Sequence, residues 1–92
     1  MEDHQRAHIE KNLATLVLFT SCTPSLLDYL SNGVLTQLDV SRLDEMDDDV
    51  WRTNKLFDIL FTKVNSYQIL CEALEQTNQT RALEVLRQIN SI

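Results

Sequence analysis

Glycine and proline are almost absent from this 92-residue chain, which contains one residue of each, Gly33 and Pro24. A β-sandwich or barrel of this length would need many tight turns, and such turns depend on Gly, Pro, Asn and Asp. Hydrophobic residues make up 43% of the chain and charged residues 24%, the usual mixture of a folded domain. The scarcity of turn formers predicts an all-α fold, with one domain over residues 1–92 and a helical core from about residue 3 to residue 90.

Basic residues and long apolar runs are also scarce. Eight Lys and Arg stand against 14 Asp and Glu, so the formal net charge is −6. An acidic domain repels the phosphates of nucleic acids and the anionic surface of membranes, and we expect neither as a partner. The sequence has no stretch of about 18 apolar residues that could span a bilayer. Its start, Met1 to His4, lacks the basic region and apolar core of a signal peptide, so we expect a cytoplasmic location.

Only two cysteines are present, Cys22 and Cys71. In a chain with cytosolic features, two cysteines are usually reduced thiols rather than a disulfide. Cys71 lies within an apolar helical pattern, where a thiol packs as a small hydrophobic group. We therefore predict that both cysteines are structural.

Apolar residues in the first part of the chain recur with helical spacing. A first helix is predicted from about Asp3 to Thr20, and its apolar band widens toward the C-terminal end, which should lie deepest in the core. Thr23 is a natural N-cap, and Pro24 suits the first position of a second helix. Gly33 should end this helix in the left-handed conformation. Two apolar residues that follow should point inward, Val34 and Leu35.

The middle of the chain predicts a short third helix and a longer fourth one. Thr36 and Asp39 are spaced as a capping box at the start of the third helix. Its apolar side is formed by Leu38, Val40 and Leu43. The acidic run 44–49 is interpreted as a solvated loop before the fourth helix, which is predicted from about Val50 to Val64. The buried face of that helix is predicted to be Trp51, Leu56, Phe57, Leu60, Phe61 and Val64. Trp51 is predicted to lie in the core, because aromatic residues at helical spacing usually pack inward.

Two further helices complete a predicted set of six. Asn65 and Gln68 are spaced as a capping box at the start of the fifth. The polar stretch 77–80 precedes the sixth helix, whose apolar residues are Ala82, Leu83, Leu86 and Ile89. No segment could bury its apolar side alone, so the six helices must share one core.

Residues that can carry chemistry are present, but their spacing does not match catalysis or metal binding. His4 and His8 lie four residues apart, yet no third ligand accompanies them and Lys11 would repel a cation. The run 47–49 lacks the glycine of a calcium-binding EF-hand loop. Ser41 does not stand in the Asp-Ser-Leu context of acyl carriers. We expect no metal, no cofactor and no catalytic residue.

Charge is distributed unevenly along the chain. From Asp28 to Asp49 there are seven acidic residues and one basic residue, Arg42. If the first and fourth helices lie side by side, their basic residues form one face and the acidic residues form another. A molecule with both faces can bind the next one head to tail, building rings or open helices. The alternative is an ordinary solvated surface of mixed charge.

Five stretches are specific in their order and spacing, although each alone is mostly core leucine. They are Ser-Leu-Leu-Asp-Tyr-Leu (25–30), Asn-Gly-Val-Leu-Thr (32–36), Lys-Leu-Phe-Asp-Ile-Leu (55–60), Tyr-Gln-Ile-Leu-Cys-Glu-Ala-Leu-Glu-Gln-Thr (67–77) and Arg-Ala-Leu-Glu-Val-Leu (81–86). Together they resemble the caspase recruitment domain (CARD) of the death-fold superfamily, over nearly the whole chain. His-Ile-Glu-Lys-Asn-Leu (8–13) is similar to the start of the prodomain of insect initiator caspases of the Dronc type. No Gln-Ala-Cys-x-Gly caspase signature is present, so this chain is not expected to cleave proteins itself.

The resemblance implies an antiparallel six-helix bundle in the Greek-key arrangement of the death fold, often with a kinked first helix. It also implies homotypic binding to the CARD of an apoptosome scaffold or adaptor, which brings initiator caspase zymogens together for activation in apoptosis. In the family's best-known contact, basic residues on the first and fourth helices meet acidic residues on the second and third. Carried over to this sequence, the basic side is Arg6, Lys11, Arg52 and Lys55. The acidic side is Asp28, Asp39, Asp44 and Glu45.

Two other functions remain open at this point. The chain could be the CARD of an adaptor or scaffold protein in apoptotic or innate immune signalling, or a small acidic carrier or regulatory domain. Self-association without a scaffold is also open. For the preferred function, we expect Arg52→Glu to weaken scaffold binding without unfolding the domain.

Overall fold

The first predicted helical segment is divided at Asn12. The computed structural model describes residues 1–88, which form seven helices and contain no strand. Their bounds are α1 Asp3–Lys11, α2 Leu13–Phe19, α3 Pro24–Ser31, α4 Gln37–Asp44, α5 Asp49–Phe61, α6 Ser66–Gln76 and α7 Thr80–Arg87. α1 ends where Asn12 leaves the helical conformation, with φ −109° and ψ 16°. The Asn12 side chain donates to the His8 carbonyl at 2.9 Å, a local side-chain contact that competes with regular helix geometry. The all-α prediction is confirmed over these residues, with one helix more than the six predicted segments.

Two of the predicted helix starts are confirmed by their side-chain caps. Thr23 accepts a hydrogen bond from the Leu26 N–H at 3.2 Å, and Pro24 occupies the first position of α3. At the start of α4, Thr36 accepts from the Asp39 N–H at 3.1 Å, and the Asp39 carboxylate accepts from the Thr36 N–H at 3.0 Å. This reciprocal pair is the predicted capping box.

The capping box predicted at Asn65 is wrong. Asn65 has a φ of 60° and its side chain makes no capping hydrogen bond. Asn tolerates this left-handed conformation better than most residues, so here it turns the chain rather than capping the helix. Gln68 donates instead to Glu72, one turn further along α6, at 3.4 Å. The buried Ser66 hydroxyl donates to the Leu60 carbonyl at 2.7 Å and joins the start of α6 to α5.

The predicted left-handed conformation of Gly33 is also wrong, since this glycine does not have a positive φ. The end of α3 is closed by the N–H groups of Gly33, Val34 and Leu35, which all donate to the Leu30 carbonyl. Space is tight there, because a Cβ at position 33 would lie 3.1 Å from the Ile69 Cδ1 of α6, and Ile69 would have to move by a few tenths of an ångström to accept it. Leu35 is buried and Val34 is half-buried, so both point inward as predicted.

The core lies around α5 and α6. α5 packs against α2, α4 and α6, whereas α6 packs against α3, α5 and α7, and α7 also contacts α2. The largest fully buried side chain is Phe57 of α5. Several leucines from α5 and the helices around it are completely buried as well: Leu16, Leu26, Leu30, Leu43, Leu56, Leu60, Leu70, Leu74 and Leu86. Ile89 and the predicted end of the core at residue 90 lie outside the described residues.

Several residues predicted to be buried are exposed. Trp51 is 68% exposed, Leu18 78%, Leu38 61% and Val64 81%. Val64 is exposed because α5 ends at Phe61, three residues before the predicted end. The other three lie on their helices opposite the buried residues, at about 100° per residue, so they point away from the core. The C-terminal end of the first predicted helix was expected to lie deepest in the core. This prediction is only partly right, since Leu16 and Val17 are buried but Leu18 is not.

Within residues 1–88, no single helix is long and apolar enough to cross a membrane. Only α2 and α3 taken together have the length and apolar composition of a membrane-spanning segment, and the chain bends by 114° between these two helices. Leu16, Leu26 and Leu30, which contribute to that apolar character, are completely buried against the other helices.

Candidate protein-interaction surfaces

Lys11 and Lys55 are the predicted basic residues that remain available on the surface. Lys11 lies at the end of α1 and Lys55 in the middle of α5, and both are exposed. Neither forms an ion pair with any carboxylate in the part of the chain that the structure describes. Exposed charges without an internal partner are the ones that can steer and orient an incoming protein.

Arg6 is partly occupied by contacts within the chain. Its Nε lies 2.6 Å from the Glu10 carboxylate, one turn further along α1. Its guanidinium carbon lies 5.0 Å from the centroid of the Phe61 ring, within the range of a cation–π interaction. The same side chain thus joins α1 to the end of α5. About half of it stays exposed, so a partner can still reach it.

Arg52, in the first turn of α5, is largely buried against the end of α4 and the turn that follows it. Its Nε donates to the Leu43 carbonyl at 3.0 Å, one terminal nitrogen donates to the Met46 carbonyl, and the other lies 2.8 Å from Asp49. Only 20% of the side chain is exposed. These contacts hold the acidic run 44–49 against α5. The expectation for Arg52→Glu changes accordingly, because a carboxylate at this position would repel Asp49 and lose both carbonyl contacts, destabilising the fold.

Asp39 also has a structural role. Besides its part in the capping box, its carboxylate lies 3.0 Å from Nζ of Lys63, and only 13% of the side chain is exposed. The hydrogen bond from the Thr36 backbone lowers the pKa of Asp39 below its ordinary value of 3.8, and Lys63 adds to the effect. Asp39 therefore joins the start of α4 to the segment after α5, and little of it is left for a partner.

The remaining predicted acidic residues are Asp28 on α3, Asp44 at the end of α4 and Glu45 just beyond it. All three are exposed, and none forms an ion pair within residues 1–88. Asp47 and Asp48 extend this acidic surface toward α5, and the Asp48 side chain caps that helix by accepting from the Trp51 N–H at 3.0 Å. The acidic surface thus covers the α4–α5 turn and the outer side of α3.

An apolar groove between α2 and α5 is a feature that sequence reasoning missed. It has a volume of about 450 Å³, and its walls are Leu13, Ala14, Val17, Leu18, Val50 and Asn54. Leu18 and Val50 are largely exposed on its rim, and Trp51 follows Val50 on α5. We name Leu18, Val50 and Trp51 the apolar corner. Exposed apolar side chains grouped in this way are typical of protein-binding surfaces.

Placing Trp51 on a helical wheel would have shown that it is exposed. The same test fails for Val50, which lies seven residues before Phe57 and so on the buried side of α5. On α5 the buried stripe is formed by Thr53, Leu56, Phe57 and Leu60. Trp51 lies almost on the opposite side of that helix, at 100° per residue. Its aromatic character suggested the core, but its position in the helical repeat indicated the surface.

The cysteines and histidines are placed in structural settings. Cys22 and Cys71 are free thiols, as predicted. Burial raises the pKa of Cys22 to about 11, and burial also raises the pKa of Cys71. The His8 ring nitrogen lies 2.8 Å from the Val85 carbonyl of α7, whereas His4 is exposed beside Glu2. No group of three or more His, Cys, Asp or Glu residues within residues 1–88 is arranged to hold a metal ion.

No protein-family model matches the chain, and no curated protein is significantly similar to it.

Proposed function

We propose that this chain is a cytoplasmic CARD that binds another CARD and has no catalytic role itself. In this proposal α1 and α2 together correspond to the kinked first helix of the family, so that seven helices represent the six of a Greek-key death fold. The partner is the CARD of an apoptosome-type scaffold. Binding recruits an initiator caspase zymogen to that scaffold in apoptosis.

One observation carries the proposal, which is the separation of those predicted site residues that are exposed and have no ion-pair partner within residues 1–88. The basic ones, Lys11 and Lys55, lie on α1 and α5. The acidic ones lie on or next to α3 and α4: Asp28, Asp44 and Glu45. The separation is incomplete over the whole surface, because Arg42 on α4 and Asp58 on α5 are also exposed and unpaired in that range. Among the predicted residues, it is the division between basic and acidic helices that the resemblance implies. It supports homotypic binding in which the basic side of one CARD meets the acidic side of another.

The contacts within the chain divide the eight predicted site residues into two groups. Arg52 and Asp39 shape the surface, because each is mostly buried and bonded to backbone groups. Lys11, Lys55 and the three free acidic residues are the candidates for direct contact with the partner. Arg6 lies between these groups, since it is paired with Glu10 but half exposed.

The proposed mechanism is activation by proximity. A single contact between small charged surfaces is modest in strength, because exposed charges are screened by salt and water. When several copies sit on one scaffold, the linked zymogens experience effective concentrations of roughly millimolar for short linkers. At such concentrations, weakly associating protease domains can pair and become active.

Titration calorimetry with the CARD of an apoptosome-type scaffold tests the proposal. The double variant Lys11→Glu/Lys55→Glu should weaken binding by at least roughly tenfold, since close interfacial charge pairs contribute about 1.5 kcal/mol or more. The control is Arg87→Glu, which reverses an exposed charge at the end of α7, outside both proposed faces. Asp44→Lys/Glu45→Lys is made in parallel to test the acidic side. The proposal is wrong if the scaffold CARD does not bind the unmodified chain, or if both double variants bind as tightly as the control.

A further inference from the structure

One face of α5 carries charges of opposite sign on either side of a tryptophan. Asp48, Trp51 and Lys55 follow each other at spacings of three and four residues, so they form one stripe along the helix. Asp47 precedes this stripe, is exposed and has no ion-pair partner within residues 1–88, and the same holds for Lys55. From Asp48 to Lys55 the stripe therefore runs from negative through apolar to positive. Asp58 follows three residues after Lys55 on the same side of α5, is exposed, and returns the stripe to negative.

The apolar centre of this stripe continues into the groove between α2 and α5. Val50 lies on the rim of the groove beside Trp51, and Leu18 forms the facing rim on α2. Trp51 and Leu18 are 68% and 78% exposed, which is unusual for side chains of this size. A large exposed side chain and an open apolar groove thus lie next to each other on one surface.

This order of groups is complementary to itself. When two copies of α5 pack antiparallel across a two-fold axis at Trp51, the residues that precede Trp51 in one copy face those that follow it in the other. Lys55 of each copy then faces Asp47 and Asp48 of the other. The same axis brings the two tryptophans together, with a groove on the neighbouring side of each α5. A two-fold contact of this kind is isologous and closed, so it stops at two copies.

We infer that the apolar corner, flanked by Asp47 and Lys55, binds a second copy of this chain in a two-fold dimer. The occupant is a second copy because the order of the groups from Asp47 through Trp51 to Lys55 matches its own reverse. Asp58 lies beyond this matched part and has no basic residue of the stripe opposite it. This dimer does not depend on the proposed scaffold partner. The dimer has one consequence for scaffold binding, because its interface covers Lys55. The scaffold CARD would have to displace the second copy to reach Lys55.

Sedimentation equilibrium across a concentration series tests the dimer. The mass should rise with concentration and level off at twice the 10.7 kDa of one chain. Trp51→Ala should lower the association constant by roughly 30-fold, the effect expected for a tryptophan at the centre of an interface. The matched control is Leu38→Ala, which removes another exposed apolar side chain from α4, outside the apolar corner, and should leave the association constant unchanged.

A charge exchange tests the two-fold geometry. Asp47→Lys alone places a second lysine against Lys55 of the other copy, and Lys55→Glu alone places a glutamate against Asp47, so each variant should remain monomeric. In an equimolar mixture of the two variants, opposite charges meet where position 47 of one faces position 55 of the other, and a dimer should form again. Asp47 is changed rather than Asp48 because Asp48 caps α5. Arg87→Glu is the control for a change in charge elsewhere, and far-UV circular dichroism confirms that every variant is folded.

Three results would overturn the inference: a monomer at all concentrations, a mass that grows beyond two copies, or a mixture of the charge variants that stays monomeric. None of these bears on the proposed function, because scaffold binding is measured separately on the same variants. Conversely, a dimer with these properties and no binding to a scaffold CARD would retain the inference and reject the proposed function.

Discussion

The side of the molecule built by α6 and α7 and the apolar corner at α2 and α5 use the same kind of helical sequence in opposite ways. On α6 and α7 the residues Leu70, Leu74, Leu83 and Leu86 are buried. At the corner, Leu18, Val50 and Trp51 are equally apolar but largely exposed. Apolar content alone therefore does not separate the residues that hold a helical bundle together from those that bind a partner. Position relative to the buried stripe of the helix separates Leu18 and Trp51 from the core. Val50, which lies on the buried side of α5, is exposed because no other helix within residues 1–88 covers the start of α5 there.

A pair of matched leucine truncations should show this difference most strongly. Leu74→Ala empties a site at the centre of the core and should lower the free energy of unfolding by about 2–5 kcal/mol. Leu18→Ala removes the same atoms from the surface and should change it by no more than about 0.5 kcal/mol. Urea unfolding followed by circular dichroism measures both. Equal losses of unfolding free energy in the two variants would mean that Leu18 is part of the core and not an exposed residue of the apolar corner.

A second pair separates the two basic residues of α5. Arg52→Gln loses contacts to the Leu43 and Met46 carbonyls and to Asp49, and should destabilise the fold by about 2 kcal/mol, since hydrogen bonds from charged groups are among the stronger ones. Lys55→Gln removes only a solvated charge, so its expected change in unfolding free energy lies within about 0.5 kcal/mol. Thermal unfolding of the two variants checks this. If Arg52→Gln were as stable as Lys55→Gln, Arg52 would return to the residues available for a partner.

The smallest expected effect is the pH dependence from Asp39. Its pKa is lower in the folded chain than its ordinary value of 3.8, so the charged carboxylate stabilises the fold at neutral pH. This contribution is lost as the pH falls below 3.8 and through the lowered folded pKa. Asp39→Asn keeps an acceptor for the Thr36 N–H but removes the charge, so it should cost about 1 kcal/mol at pH 7 and progressively less toward about pH 2.

Urea unfolding at a series of pH values measures this effect, with the exposed Asp28→Asn as the control. That control should change the stability little at any of these pH values. A cost for Asp39→Asn that is the same in acid as at neutral pH would show that the contacts of Asp39 do not depend on its charge.

Much of the fold could be predicted from the sequence because the deciding interactions are local. Thr23 and Thr36 begin helices through hydrogen bonds to residues three positions away, and this spacing is visible in the sequence. Asn65 and Gly33 could not be interpreted correctly in the same way. The role of Gly33 depends on the approach of Ile69, which lies far along the chain on α6. Contacts of that kind belong to the packing of the helices and have no local pattern.

The candidate surfaces were predicted less well than the helices, for two physical reasons. Charges that look available in the sequence can be used inside the fold, as with Arg52 at the Leu43 carbonyl and Asp39 at Lys63. Apolar residues that look like core can be exposed, as with Leu18 and Trp51. The second error could have been avoided by placing each residue on its helix, whereas the first required the tertiary structure.

Trp51 fluorescence tests the central comparison most directly, because Trp51 is the only tryptophan in the chain and lies in the apolar corner. At low concentration, its emission should be that of a solvated indole. As the concentration rises and the chain associates, the emission should shift to shorter wavelength, together with the increase in mass. A buried emission in the most dilute samples, or association that leaves the emission of Trp51 unchanged, would contradict the account that this corner is a docking surface rather than part of the core.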